Sequence, residues 1–178
     1  MSLQVVARSF PYLMPKKPKP GAERRFVAAL NFETVTYFEP FFPVGPQLPV
    51  TPLPLVHGED CICLGFAFGE RDRVVYLSDL SRLTEDTTQA LEREVNRPGG
   101  ITVLVLDCLQ PRKHNTHLGL DQSLDLIRKL RPKKTFLVGM SCDKFPPHHE
   151  MNAQLREKHS DIGHVEFARD GLVMYLDL

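Results

Sequence analysis

The chain has 178 residues, a length typical of one domain, and its 22 basic and 22 acidic residues give zero formal net charge. Apolar residues make up 42% of it, which is enough for a hydrophobic core and excludes wholesale disorder. The balanced charge argues against duplex DNA or an anionic membrane as a partner. No apolar run approaches the roughly 18 residues of a transmembrane helix, and residues 1–20 lack the apolar region of a signal peptide. We therefore expect a cytoplasmic protein.

The first half of the chain is rich in β-forming residues and predicts a series of strands. Strands are predicted at 27–38, 48–56, 61–68 and 73–78. Prolines in the second of these favour an edge or irregular strand. The lysine- and proline-rich segment 15–20 predicts an exposed loop, because proline excludes it from a helix or a central strand.

The second half alternates helix and strand, which is typical of an α/β fold. Thr84 predicts the N-cap of a helix that ends before Pro98. Continuous apolar runs predict buried strands at 101–108 and 134–139, and a helix between them has Leu120, Leu124, Ile127 and Leu130 at helical spacing. A helix from 148 to 159 and a terminal hairpin through 169–171 complete the prediction.

Four cysteines fit free, mostly buried thiols in a reducing compartment. Cys61 and Cys63 are two apart on a predicted strand, so they point to the same face. A zinc site on this pair needs two further ligands close by, and core packing is the commoner use of such a pattern.

Side chains suited to metal binding or catalysis follow the carboxyl ends of the predicted strands, where open α/β sheets gather such groups. His57 and Asp79 end two strands, and the loops 107–117 and 139–143 follow two more. Imidazole nitrogen and carboxylate oxygen suit a divalent metal, and an aspartate can bridge two metals. The plainer alternative is a structural histidine, capping aspartates and solvated loop histidines.

Several segments resemble the C-terminal part of a metallo-β-lactamase-fold hydrolase. The chain is most similar to the phosphoribosyl cyclic phosphodiesterase branch and its relatives in tRNA 3′ processing. The segments are VTPLPLVHG (50–58), VVYLSDLS (74–81), LVLDC (104–108), THLGLDQSL (116–124) and KTFLVGMSCD (134–143). The resemblance implies an α/β fold that is part of a four-layer αβ/βα sandwich. Residues 1–178 are then one partial domain, with a β meander over 9–56 and an α/β half over 57–178.

The resemblance also implies roles for three residues. His57 matches a histidine metal ligand, Asp79 matches an aspartate that bridges two metals, and His117 matches a catalytic histidine that contacts the substrate phosphate without binding metal. The family uses two divalent metals, zinc or manganese. The implied substrate is a phosphodiester, either a small molecule or an RNA end.

Two departures from the family pattern predict that the chain is inactive as given. The metal-binding motif HxHxDH is absent, and Gly139 stands where the family has its last histidine ligand. Cys142 and Asp143 are the nearby candidates to replace that ligand. A complete site uses about seven protein ligands, and this chain keeps two at matched positions. The alternative is a non-catalytic interaction module on the same scaffold.

The absence of half the sandwich has a structural consequence. An apolar sheet face that the other half covers in the family would be open here, and such faces are usually covered or associate. We therefore expect an exposed apolar face through which the chain self-associates.

Overall fold

The structure is a computed structural model that describes residues 3–14, 30, 32–45 and 47–178. The chain divides into two units, residues 1–35 and 36–178. In the first unit, the helix α1 (Leu3–Ser9) has no buried residue. The loop predicted at 15–20 lies outside the described residues.

The strand predicted at 27–38 is wrong where it can be compared. Residues 27–29 and 31 lie outside the described residues, and residues 30 and 32–38 form no strand. Phe38 has a positive φ of 65° in a turn, and this left-handed conformation interrupts an extended backbone.

The described part of residues 36–178 forms one seven-stranded sheet with three α-helices. The sheet order is β4-β1-β2-β3-β5-β6-β7. Strands β1, β2 and β3 are antiparallel neighbours, whereas β3, β5, β6 and β7 are parallel. The elements are β1 (Val50–His57), β2 (Cys61–Phe68), β3 (Val74–Leu77), β4 (Arg82–Leu83), α2 (Glu85–Val95), β5 (Val103–Asp107), α3 (Leu120–Leu130), β6 (Lys134–Val138), α4 (His148–Lys158) and β7 (His164–Phe167). The α/β class predicted from the sequence is confirmed.

Local signals explain where the helices begin and end. The hydroxyl of Thr84 accepts a hydrogen bond from the backbone N–H of Thr87 at 3.1 Å and caps α2. Helix α3 ends at Arg131, which adopts the left-handed conformation, and Pro132 prevents its continuation. No helix among the described residues combines the length and apolar character needed to cross a membrane.

The two faces of the sheet differ in what covers them. The main core is a single cluster in which apolar residues of α2, α3 and α4 pack against one face, so the three helices lie on that side. On the opposite face a smaller cluster of Val74, Val103 and Phe136 is bordered by a wholly apolar groove that includes Phe66 and Tyr76. Tyr76 is 39% exposed. The described residues therefore leave one apolar face of the sheet partly open.

The terminal hairpin predicted through 169–171 is wrong. Residues 172–178 form no strand, and Asp177 instead bonds through its backbone to Asp72 in the turn after β2. The reason lies at the outer edge of β7. There the side-chain amide of Asn152 accepts from the backbone N–H of Phe167 at 2.8 Å and donates to its carbonyl at 3.2 Å. Because the N–H and the carbonyl of Phe167 are already bonded, a second hairpin strand cannot form backbone hydrogen bonds to this residue.

Candidate functional site

Sheet topology brings the predicted site residues to one edge. Strands β1 and β3 run in the same direction because both are antiparallel to β2, and β3 is parallel to β5. Their carboxyl ends therefore meet on the same side of the sheet. His57 ends β1, Asp79 follows β3 and His117 lies in the loop before α3. One ligand-type atom from each of the three lies within 4.8 Å of the others.

The loops after β1 and β3 are tied together beside this group. The hydroxyl of Ser81 accepts from the backbone N–H of Gly58 at 3.2 Å and donates to the carbonyl of Val56 at 3.1 Å. Asp79 adopts a positive φ of 55°, a conformation that non-glycine residues seldom take and that aspartate tolerates better than most. Its side chain is 61% exposed. The strand ends thus present an accessible carboxylate on a fixed backbone.

His117 is oriented by a buried carboxylate. Its Nδ1 atom lies 3.0 Å from Oδ2 of Asp107, and the backbone N–H of Leu118 donates to the same oxygen at 3.0 Å. Asp107 is 1% exposed. Because a carboxylate accepts hydrogen bonds, Nδ1 is the protonated nitrogen and Nε2 is left for other partners. Burial raises the pKa of Asp107, and the bonds from Leu118 and His117 oppose this rise.

His57 carries a polar atom with no partner. Its Nδ1 atom is buried and makes no hydrogen bond to any described residue. The ring meets that of His117 edge-on, with centroids 4.8 Å apart. A buried polar atom without a hydrogen bond is unfavourable, and a metal ion is one partner that satisfies an imidazole nitrogen. The donor chemistry of His57, Asp79 and His117 therefore fits a divalent ion.

The other candidates do not join this group. Within the described residues, the one cluster with metal-site spacing contains neither Cys142 nor Asp143. Cys142 is exposed. Asp143 accepts from the Ser141 hydroxyl at 2.6 Å and lies 3.0 Å from Lys144, and these contacts hold the pKa of Asp143 below its usual range. Gly139, at the position of the family's last histidine ligand, has no side chain to bind metal. A Cβ at this position would lie 3.1 Å from Oδ1 of Asp107.

The cysteine prediction is partly wrong. Cys108 is buried and Cys63 is partly buried, but Cys61 and Cys142 are exposed. Cys61 lies opposite His57 in the β1–β2 ladder, yet neither Cys61 nor Cys63 belongs to the described metal-type cluster. Exposure follows from position, because Cys61 opens β2 and Cys142 lies in the loop after β6.

Sequence reasoning missed the role of Asp107. The sequence predicts that Asp107 opens a polar loop or caps a turn, whereas the structure buries it against His117. An acidic residue that ends a strand apolar on both faces was the available signal, since a buried carboxylate requires partners.

Comparisons with known proteins identify the family. The sequence model of the β-lactamase superfamily domain matches residues 1–140. The chain is similar to a solved diphosphatase of the PhnP family, with 32% identity and a TM-score of 0.60 over 77% of this chain and 46% of that one. It also matches the metallo-β-lactamase-fold protein YhfI from Bacillus subtilis, with 14% identity and a TM-score of 0.56 over 78% of this chain and 53% of that one. No match is found among curated proteins.

A more distant structure, the diiron β-hydroxylase CmlA from Streptomyces venezuelae, shares 10% identity with a TM-score of 0.50 over 81% of this chain and 34% of that one. Metal-dependent proteins therefore occur on this fold. The chain spans about half the length of the first two solved relatives. The comparisons lend no support to the alternative of a non-catalytic interaction module. The predicted fold is confirmed, and the chain belongs to the β-lactamase superfamily, among the metallo-β-lactamase-fold hydrolases.

Proposed function

We propose that the chain carries part of a metal-dependent phosphodiesterase site, in which His57 and Asp79 bind metal and His117 contacts the substrate phosphate. The convergence of these three side chains at one sheet edge carries the proposal. The similarity to a PhnP-family diphosphatase supports a phosphate ester as the substrate class. The substrate is a small phosphodiester or an RNA end, and the metal is zinc or manganese. When bound, such a metal acts as a Lewis acid on a phosphoryl oxygen and lowers the pKa of water.

The chain's own residues define how a phosphate is held. Asp107 accepts the Nδ1 proton of His117 and so fixes the orientation of the ring. When Nε2 also carries a proton, it can donate a charge-assisted hydrogen bond to a phosphate oxygen. The backbone bond from Leu118 fixes the carboxylate, so the His117 ring keeps one orientation.

The donor count supports low activity of the isolated chain. A catalytic zinc site normally has three protein ligands, and His57 and Asp79 supply two when His117 is reserved for the phosphate. We infer that metal binds weakly and that turnover is little or none without further ligands.

The test measures metal binding and turnover separately. Calorimetry with Zn²⁺ or Mn²⁺ is expected to show weak binding that is lost in His57→Ala and in Asp79→Asn. The matched control is His164→Ala, which removes a half-exposed histidine of β7 remote from the site. Hydrolysis of bis(p-nitrophenyl) phosphate with added metal is expected to stay at the buffer rate.

Two results would contradict the proposal. Equal metal affinity in the wild type and in His57→Ala would remove His57 as a ligand. Stoichiometric metal with turnover that disappears in His57→Ala would overturn the inference of inactivity and leave the assigned ligands in place.

A further inference from the structure

A second polar cleft lies beside the carboxyl end of the outermost strand, β7. A cleft of about 450 Å³ opens between α4 and the outer edge of β7. Helix α4 contributes His148, Asn152 and Arg156 to its wall. These residues are four apart, so they lie on one face of the helix. Met151 and Leu155, on the adjoining face, are buried in the main core and fix the helix against the sheet.

The floor of the cleft is rigid. Phe167 is 1% exposed, and both of its backbone polar groups are bonded to the side-chain amide of Asn152. The ring of His148 meets the ring of Phe167 edge-on, with centroids 6.4 Å apart. The wall from α4 and the floor from β7 therefore form one packed unit.

The lining has an excess of positive charge. Arg156 comes from α4 and Arg169 from the turn after β7. Neither guanidinium has a carboxylate within 4.0 Å in the part of the chain that the structure describes. The one acidic residue of the lining, Glu166, lies 3.6 Å from Nε2 of His164. Two free guanidinium groups thus face the cleft in a chain of zero net charge. Arginine binds phosphate oxygens through paired N–H donors.

The register of the parallel strands relates the cleft to His117. Asp107, the partner of His117, is paired with Val138 of β6, and the backbone N–H of Ala168 bonds to the carbonyl of Leu137 in the same strand. Ala168 is therefore level with Asp107 and two strands away, which is roughly 10 Å at the usual strand spacing. A ligand that contacts both His117 and Arg169 has to bridge a backbone separation of this order.

We propose that the cleft of Arg156 and Arg169 is a subsite for a second phosphate or pyrophosphate group of the substrate. This inference rests on the proposed function, which places another phosphate of the same substrate at His117. Binding of this phosphate or pyrophosphate group depends on the two arginines and needs no metal. It can therefore be tested without measuring turnover.

The experiment uses the metal-free full chain at low ionic strength. Inorganic pyrophosphate is titrated while the backbone amide resonances of the protein are followed by NMR. We expect shifts of Asn152, Ala168 and Arg169. In the double variant Arg156→Gln/Arg169→Gln the affinity should fall about tenfold or more, because each lost charged hydrogen bond contributes strongly. The matched control is Arg128→Gln, an exposed arginine of α3 paired with Asp125 at 3.1 Å.

The outcomes separate this inference from the proposed function. An equal loss of affinity in Arg128→Gln would indicate non-specific attraction and overturn the subsite, and so would shifts confined to residues outside the cleft. Thermal melting that matches the wild type shows that the double variant is folded. Pyrophosphate binding that needs the two arginines, found together with no metal binding at His57, would support the subsite and overturn the metal site alone.

Discussion

The Nδ1 atom of His117 lies 3.0 Å from Oδ2 of Asp107, a carboxylate that is 1% exposed at the end of β5. This bond joins the last residue of a buried strand to the loop that precedes α3. The Ser123 hydroxyl donates to the Asp107 carbonyl at 2.8 Å, so the first turn of α3 is attached to the same residue. Asp107, which orients the His117 ring, is therefore held by β5 on one side and by α3 on the other.

Loss of the Asp107 charge should change the tautomer of His117. In the metal-free wild type, we expect the ¹⁵N spectrum of the ring to show a proton on Nδ1. In Asp107→Asn the amide can also donate, so a mixture of tautomers or inversion to the Nε2–H form is expected. An unchanged pattern in Asp107→Asn would show that the carboxylate does not orient the ring. His159→Ala, at the C-terminal end of α4, serves as the control.

Asp107 should also affect how stability varies with pH. Burial raises the pKa of Asp107 in the folded chain, so the folded state binds its proton more tightly than the unfolded state. The free energy of unfolding then falls as pH rises from about 4, the unfolded value, through the higher folded pKa. Above that pKa no further loss occurs.

Urea unfolding of the wild type and of Asp107→Asn across this window measures the effect. Relative to the wild type, the free energy of unfolding of Asp107→Asn should increase as pH rises and then level off. A difference that is constant across the window would contradict the raised pKa.

The thiols should differ in their reactivity. Burial raises the pKa of Cys108 to about 12, so its thiol stays protonated near neutral pH and the reactive thiolate is scarce. Cys61 and Cys142 are exposed. Limited alkylation with iodoacetamide, followed by peptide mass spectrometry, should label these two first and Cys108 only after unfolding. Early labelling of Cys108 in the native chain would contradict its burial.

An ion pair between strand and helix should contribute to stability. The guanidinium of Arg73, before β3, forms two bonds of 2.7 Å to the carboxylate of Glu94 in α2, and both side chains are at most 15% exposed. Removal of one partner leaves a poorly solvated charge, so Glu94→Gln should lower the free energy of unfolding by about 3 kcal/mol. The exposed pair of Arg128 and Asp125 provides the control, because Asp125→Asn should cost less than about 0.5 kcal/mol.

The open sheet face should associate with a second copy of the chain. Its groove has an apolar lining, and zero net charge means that two copies do not repel strongly. We predict that sedimentation velocity shows a dimer whose population rises with concentration. Tyr76→Lys should abolish it, whereas Arg71→Gln, at an exposed turn, should not. A wild type that stays monomeric at high concentration and binds no hydrophobic dye would contradict this prediction.

Local patterns were sufficient for most elements of the second half. Helix α3 was predicted from the spacing of its leucines and Ile127, and α2 from the Thr84 cap, because both signals arise within a few residues. The predicted hairpin after β7 failed for a non-local reason, since Asn152, fifteen residues before Phe167, bonds to the edge where the partner would pair.

The sequence by itself determined the α/β alternation, the family and the three residues of the proposed site. The positions of these residues at or after the ends of predicted strands were enough to single them out, because local hydrophobicity and turn residues set where a strand ends. The tertiary structure alone decided that His57, Asp79 and His117 share one edge, that Asp107 orients His117 and that Cys142 stays outside. Those outcomes depend on strand order and register, which bring together side chains 10 to 60 residues apart. No local pattern encodes such distances.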